Sequence, residues 1–250
     1  MLVVLVCCAS LSAGELVPFT VAVEDQALPP WILADGSGID VQLMRLIAPE
    51  VGLQVTISIL PWKRCLAQLA DGKVDAVLNA SYKQDRLAYG CFPLEAAGKP
   101  DASRSLHDLT YVLYRRRGDA LTWDGSAFSG LTGAIGAQSG FSIVDHLKSL
   151  GAVVEDDSKD PHVVLRKLAF GRLQGAALLS ESADAVLAAD VALKAGIEAV
   201  EPALESKPYY LMVGKHFAVA HPGLADRIWD AIRTVRAGEA YRKALAEAKR

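Results

Sequence analysis

The sequence has no run long and apolar enough to cross a bilayer. Its most hydrophobic stretch, Met1 to Ala13 (MLVVLVCCASLSA), falls well short of the ~20 residues a spanning helix needs. Charge of one sign is not in excess either. Twenty-six Lys and Arg stand against 29 Asp and Glu in 250 residues, a formal charge of −3, so no global field draws the chain to nucleic acid or anionic lipid. Cysteine is scarce, with four residues and no CxxC, and His107, His146, His162, His216 and His221 are scattered, which leaves a metal site without support. The phosphate-cradling Gx4GK[ST], the GxSxG elbow and HExxH are all missing. The glycines at 133, 136 and 140 miss the GxGxxG spacing. No catalytic signature and no cofactor motif is left, so the sequence reads as a binder rather than an enzyme. With 52% apolar and 22% charged residues it is also neither disordered nor of low complexity. Its length suits one domain or two small lobes.

Segment 1–14 pairs an apolar core with small residues near Ala13 and Gly14, the pattern of a cleaved secretory signal, although a basic n-region is missing from it. The mature chain is then expected in the periplasm. Cys7 and Cys8 would leave with the leader, and neither follows the small residue that lipid attachment requires. Cys65 and Cys91 remain; an oxidising compartment permits a bond between them, and two separate buried thiols are the alternative.

Strand and helix signals then alternate. Phe19–Val23, Val55–Leu60 and Val74–Leu78 read as strands, separated by helical spacing over Ile39–Val51 and Trp62–Ala70. From residue 133 the chain nearly repeats itself. Ala134–Ala137, Ala152–Val154 and Gly175–Leu179 are strand candidates, with helices over Phe141–Leu150 and Val163–Phe170. Leu66…Leu69-Ala-Asp-Gly72-Lys73-Val74 and Leu165…Leu168-Ala-Phe-Gly171-Arg172-Leu173 each end a helix on glycine and restart a strand at once. Such alternation predicts an α/β protein of two similar lobes, each a mostly parallel sheet with helices on both faces. The passage Pro93–Asp108 joins the passes, and a second irregular passage, Glu201–Pro208, precedes a last strand, Tyr209–Val213. Helices over about Pro222–Arg236 and Glu239–Ala248 end the chain. If that tail returns to the first lobe, the backbone crosses twice, giving a hinge with a cleft between the lobes. The expected limits are 15–108 plus 208–250 for lobe 1 and 109–207 for lobe 2.

Three features point to binding. Asn79-Ala-Ser81-Tyr-Lys-Gln-Asp85-Arg86 directly follows a strand, at the end of the sheet where open α/β folds place ligands. Arg86 could grip a carboxylate through two parallel hydrogen bonds, or simply pair with Asp85. Gln138-Ser139-Gly140-Phe141-Ser142 joins a strand to a helix start, which serves either as an anion site with the Ser142 hydroxyl or as a plain N-cap. Trp31 and Trp62 each follow proline after a strand, placing a ring at the cleft or in the core.

These residues resemble solute-binding protein family 3, the periplasmic amino-acid-binding proteins of ABC importers, whose Venus-flytrap fold ionotropic glutamate receptors share. The marks are Glu24-Asp25…Pro29-Pro30-Trp31, Gly38-Ile39-Asp40-Val41, Pro61-Trp62, Gly72-Lys73-Val74-Asp75-Ala76, Ser81…Asp85-Arg86, Gly136-Ala-Gln138-Ser-Gly140 and Gly171-Arg172-Leu173. The resemblance implies that Arg86 holds a ligand α-carboxylate with help from Ser81 and Ser142. It implies that the residue-79 carbonyl (Asn79) accepts from the ligand ammonium, and that Asp25 and Trp62 contact the ligand side chain. The chain departs from the pattern at three places. Leu179 stands where the family carries its ammonium-binding acid, with Glu181 the nearest acid; Leu28 replaces a stacking Tyr, and Phe141 a hydroxyl residue. The ligand is then an amino acid held through Glu181, or a carboxylate without an α-ammonium. An ABC permease of the inner membrane is the implied partner, and nothing requires more than a monomer. The same clamshell could serve a receptor or kinase as a sensor. It also resembles dehydratases on this scaffold, for which Glu24 and Glu181 would be the acid candidates.

Overall fold

Apolar strands without alternation need cover on both faces, and the computed structural model, which describes residues 15–248, supplies it. Strand β1 (Val17–Glu24) leads through α1 (Ile39–Val51) to β2 (Leu53–Leu60), then through α2 (Trp62–Ala70) to β3 (Ala76–Ser81). Both β2 and β3 pair with β1 in parallel. Helix α1 buries Ile39, Leu43, Ile47 and Val51, one face at near-fourfold spacing, and stops at Gly52 in the left-handed region (φ 75°). Helix α2 buries Trp62, Cys65 and Leu69. A 3-10 turn over Gln84–Ala88 and the short β4 (Gly90–Cys91) follow.

The first crossing is β5 (His107–Arg116), reached through a 3-10 turn at Ala102–Arg104. A small hairpin, β6 (Thr122–Trp123) and β7 (Phe128–Ser129), leads to β8 (Ile135–Gln138), α3 (Ile143–Ser149), β9 (Val154–Ser158), α4 (Pro161–Ala169) and β10 (Gly175–Leu179). Strand β8 pairs in parallel with both β9 and β10, repeating the first lobe. After α5 (Ser180–Ala189) and α6 (Val191–Gly196), the second crossing is β11 (Ile197–Gly214). The chain ends in α7 (Lys215–Ala220), α8 (Leu224–Ala237) and α9 (Glu239–Ala248), of which α8 and α9 pack on α1.

The described strands other than β6 and β7 form one sheet in the order β2-β1-β3-β11-β5-β10-β8-β9, with β4 beside β11. The outer strands are parallel; the crossing pair β5–β11 is antiparallel and joins the lobes.

Four readings of the sequence need correction. Strand β3 does not stop at Leu78 but runs to Ser81, because β11 pairs with it there (Tyr209 with Ser81, Tyr210 with Ala80). The passage Glu201–Pro208 belongs to β11 rather than to a loop. Its prolines and charges are absorbed by a register shift between Val200 and Glu205, so Pro202 lies in the break, where no ladder bond is lost. The turn after Gln138, with Gly140 at φ 79°, delays α3 to Ile143, so this helix is short and Ser142 caps nothing. Strand β9 is shifted to Val154–Ser158. Cys65 and Cys91 are separate free thiols. The expected leader, 1–14, lies outside the described residues.

Candidate ligand-binding site

The site starts from a defect in β3. Asn79 has φ 59°, in the left-handed region that side chains other than Gly, Asn and Asp rarely visit. At that point β3 carries one residue more than β11, a bulge that re-aims Ser81. The Asn79 amide Nδ2 donates to Asp40 Oδ2 at 2.9 Å. Asp40, wholly buried at the start of α1, also bonds His107 Nε2 at 3.0 Å. The His107 ring in turn stacks on Trp31, with centroids 3.7 Å apart. Trp31 is therefore a core ring beneath the site, not a wall of the cleft.

Arg86 sits on the 3-10 turn after β3 and is 3% exposed. Its Nη1 donates to the Ser81 carbonyl at 2.7 Å and to Ser81 Oγ at 3.2 Å, and its guanidinium lies 5.2 Å from the centre of the Trp62 ring. No carboxylate pairs with it among the described residues, because Asp85 turns outward to Lys83 at 3.2 Å. Burial presses the guanidinium pKa down, partly offset by the neighbouring Tyr89, Tyr209 and Tyr111. An isolated buried cation is costly unless something compensates it. The tyrosines at 111 and 209 come from the two crossing strands, β5 and β11, and the Tyr209 hydroxyl donates to that of Tyr111 at 3.1 Å. Burial pushes Tyr209 up to about 12 and Tyr111 well above the phenol range, so both keep their protons; the Ser142 hydroxyl faces both.

These groups line a small cavity between the lobes. Arg86, Ser81, Asn79 and Trp62 come from the first lobe, Ser142, Phe141 and Leu179 from the second. Five of the residues singled out in the sequence thus meet: Arg86, Ser81, Asn79, Ser142 and Trp62. Three do not line the space. Trp31 is in the core, Asp25 is turned to Lys159, and Glu181, in the first turn of α5, accepts from the Ser180 hydroxyl at 3.0 Å.

All three positions where the sequence departs from the pattern it resembles, Leu28, Phe141 and Leu179, do line the cavity, as apolar walls. Sequence reasoning missed Tyr111, Tyr209 and Leu109 because they come from the crossing strands. It weighed Glu24 only as a proton carrier, yet Glu24 is the last residue of β1 and its side chain is a cavity wall. Its place at a strand's carboxyl end was the signal available. Burial, with Asp25 adding to it and Lys159 opposing, pushes the Glu24 carboxyl up to about 8.

Side-chain contacts run across the cleft. Trp62 Nε1 donates to the Gly140 carbonyl at 3.2 Å, and Phe141 meets the Trp62 ring edge-on. Lys83 pairs with Asp145 at 2.6 Å, Lys159 with Asp25 at 2.5 Å, and the Ser182 hydroxyl reaches the Ala27 carbonyl at 3.4 Å. Among the described residues no cluster of His, Cys, Asp or Glu could hold a metal ion.

Residues 19–92 match the family model of bacterial extracellular solute-binding proteins, family 3. The fold is similar to that of a histidine kinase sensor domain described as similar to periplasmic binding proteins (18% identity, TM-score 0.72, 92% of this chain and 95% of that one). It is also similar to the GluR0 ligand-binding core from Nostoc punctiforme in complex with L-glutamate (18%, TM-score 0.70, 92% and 99%). A third likeness is to the substrate binding protein of an amino acid ABC transporter (15%, TM-score 0.69, 92% and 98%). No curated protein matches the sequence.

Proposed function

We propose that this chain, which carries the family 3 solute-binding fold, captures a small carboxylate-bearing ligand of amino-acid type between its lobes and delivers it to an ABC importer from the periplasm. The observation that carries this reading is Arg86, a buried guanidinium without a carboxylate partner among the described residues, facing a cavity closed on the far side by Ser142. We place the lobes at 15–108 plus 208–250 and 109–207, so that Tyr111 on β5 and Tyr209 on β11 flank the hinge. A ligand favours the shut form only through contacts that both lobes make at once. Arg86 and Ser81 supply one set, and Ser142 the other. The inner-membrane permease is the partner this role requires.

The experiment is a thermal-shift screen of amino acids and small carboxylates, followed by calorimetry. A ligand at ~100 times its Kd should add about 2.7 kcal/mol to folding stability. Arg86→Ala, which strips a buried charge contact, should cost ~2–5 kcal/mol of binding and take it out of measurable range. Micromolar affinity kept by that variant would overturn the role.

The likeness to a histidine kinase sensor domain supports a second reading, in which the same closure is reported to a receptor. Affinity capture with ligand-loaded protein separates the two: recovery of a permease supports delivery, and recovery of a kinase supports sensing.

A further inference from the structure

Several polar groups of the cavity are incompletely matched inside the protein, and together they describe a ligand. Arg86 is a cation without an anion among the described residues. Glu24 Oε1 and Asn79 Oδ1 are acceptors sealed from solvent and without a hydrogen-bond partner. Glu24 is the one carboxyl among the described residues that lines the space, since Glu181 is held by Ser180 and Asp25 by Lys159. Leu179, where the resemblance would place an acid of the second lobe, is itself an apolar wall. Glu24 closes β1 and Arg86 follows β3, so the carboxyl and the guanidinium reach the cavity from two different strand ends. Trp62, Leu28 and Phe141 supply the apolar surface that a carbon skeleton between those ends would cover.

Resting on the carboxylate-binding reading above, we propose that Glu24 is the anion for the ligand's ammonium, so that the cavity selects a zwitterion gripped at its carboxylate by Arg86 and at its amine by Glu24 and Asn79 Oδ1. Burial raises the Glu24 carboxyl to about 8, and the other groups facing it agree with a protonated form. Asp25, which follows β1, favours the neutral acid; Lys159 alone opposes, and it is engaged by Asp25. The Cys65 thiol on α2, pushed up to about 12, keeps its proton and adds no charge. An arriving ammonium supplies the missing counter-charge. The carboxyl then ionises, the proton leaves to solvent, and the amine keeps its own.

The test is calorimetry at pH 7 in phosphate and in Tris, with L-amino acids, 4-aminobutyrate and 5-aminopentanoate as probes. Each is paired with its deaminated acid, such as phenylalanine with 3-phenylpropionate. The amine-bearing member should bind at least about tenfold tighter, because the deaminated acid leaves buried acceptors unmet. The buffer dependence of the heat should report up to about one proton released per ligand. Glu24→Gln should lose both the preference and the release while still binding carboxylates through Arg86. Should that variant fail to fold, Glu24→Asp keeps the charge and should keep both. Deaminated acids that bind as tightly as the amines through Arg86, or a Glu24→Gln protein that keeps preference and release, overturn this inference alone. Binding of no acid, or equal binding to Arg86→Ala, overturns the carboxylate-binding reading and this inference with it.

Discussion

A buried acid without a partner costs stability, and Glu24 makes that cost measurable without any ligand. Its carboxyl titrates at about 8 in the folded protein against an ordinary 4.5. The folded state therefore holds the proton more tightly than the unfolded one, and stability falls as pH rises through that window. Each tenfold difference in proton affinity between the two states is worth about 1.4 kcal/mol, so the deficit at pH 7 is on the order of 3 kcal/mol. Glu24→Gln should match the parent in urea melts at pH 4 and exceed it by roughly that amount at pH 7; equal stability at both values would show that the carboxyl is not held neutral. Asn79 stores strain of another kind. Its φ of 59° suits Gly, so Asn79→Val should be less stable than Asn79→Gly by about 1–2 kcal/mol in the same melts. Arg86, Ser81, Asn79, Ser142 and Trp62 can be named from the sequence because each sits beside a strand end marked by Gly, Pro or a polar cluster. Tyr111 and Tyr209 cannot, since inside β5 and β11 they look like any buried aromatic of a strand.

Helices are legible where their ends are spelled out. Asp160 accepts from the His162 amide at 2.8 Å, Pro161 takes the first helical position, and Gly171 follows the last turn of α4. Asp160→Ala should therefore lower stability by about 1 kcal/mol, read as a shift of the denaturation midpoint with unchanged slope. The sheet is less legible for a stated reason. Local composition reports loops at Asn79 and at Glu201–Pro208, yet both are strand residues at bulges, and a bulge is decided by the strand opposite. The bulge at Asn79 lies where β3 and β11 approach the cavity, and the one in β11 precedes Tyr209. The elements that composition misreports are thus the ones that shape the site, because a side chain turned toward a ligand needs the ladder to break its period. Helix α3 departs from its sequence pattern in the same way. Apolar spacing starts it at Phe141, but the turn at Gly140 sends Phe141 and Ser142 into the cleft and leaves the helix to begin at Ile143.

The two lobes touch through few side-chain bonds, so closure is a balance that small charges can move. Lys83–Asp145 and Lys159–Asp25 bridge the cleft, with Asp145 and Lys159 exposed to solvent. Each exposed pair is worth no more than about 1 kcal/mol and is weakened by salt. The carboxyls also set a pH window. The Lys83 hydrogen bond holds Asp145 below the ordinary 3.8 against the effect of burial. Burial would raise Asp25, but the hydrogen bonds from Lys159 and Gln26 outweigh it and hold this carboxyl low as well. A lowered carboxyl pKa gives support that is complete above the ordinary value and drains away as pH falls through the lower one. Removing both lysines should therefore act like acid. In solution scattering, Lys83→Ala/Lys159→Ala should show a larger radius of gyration than the parent at pH 7, and the parent should expand toward it as acid protonates the two carboxyls. High salt should move the parent the same way and leave the double variant unmoved. If instead the variant scatters like the parent at every pH, closure rests on the Trp62–Gly140 bond and the Phe141 contact. The next substitution would then be Trp62→Phe, which keeps an aromatic ring and removes the donor.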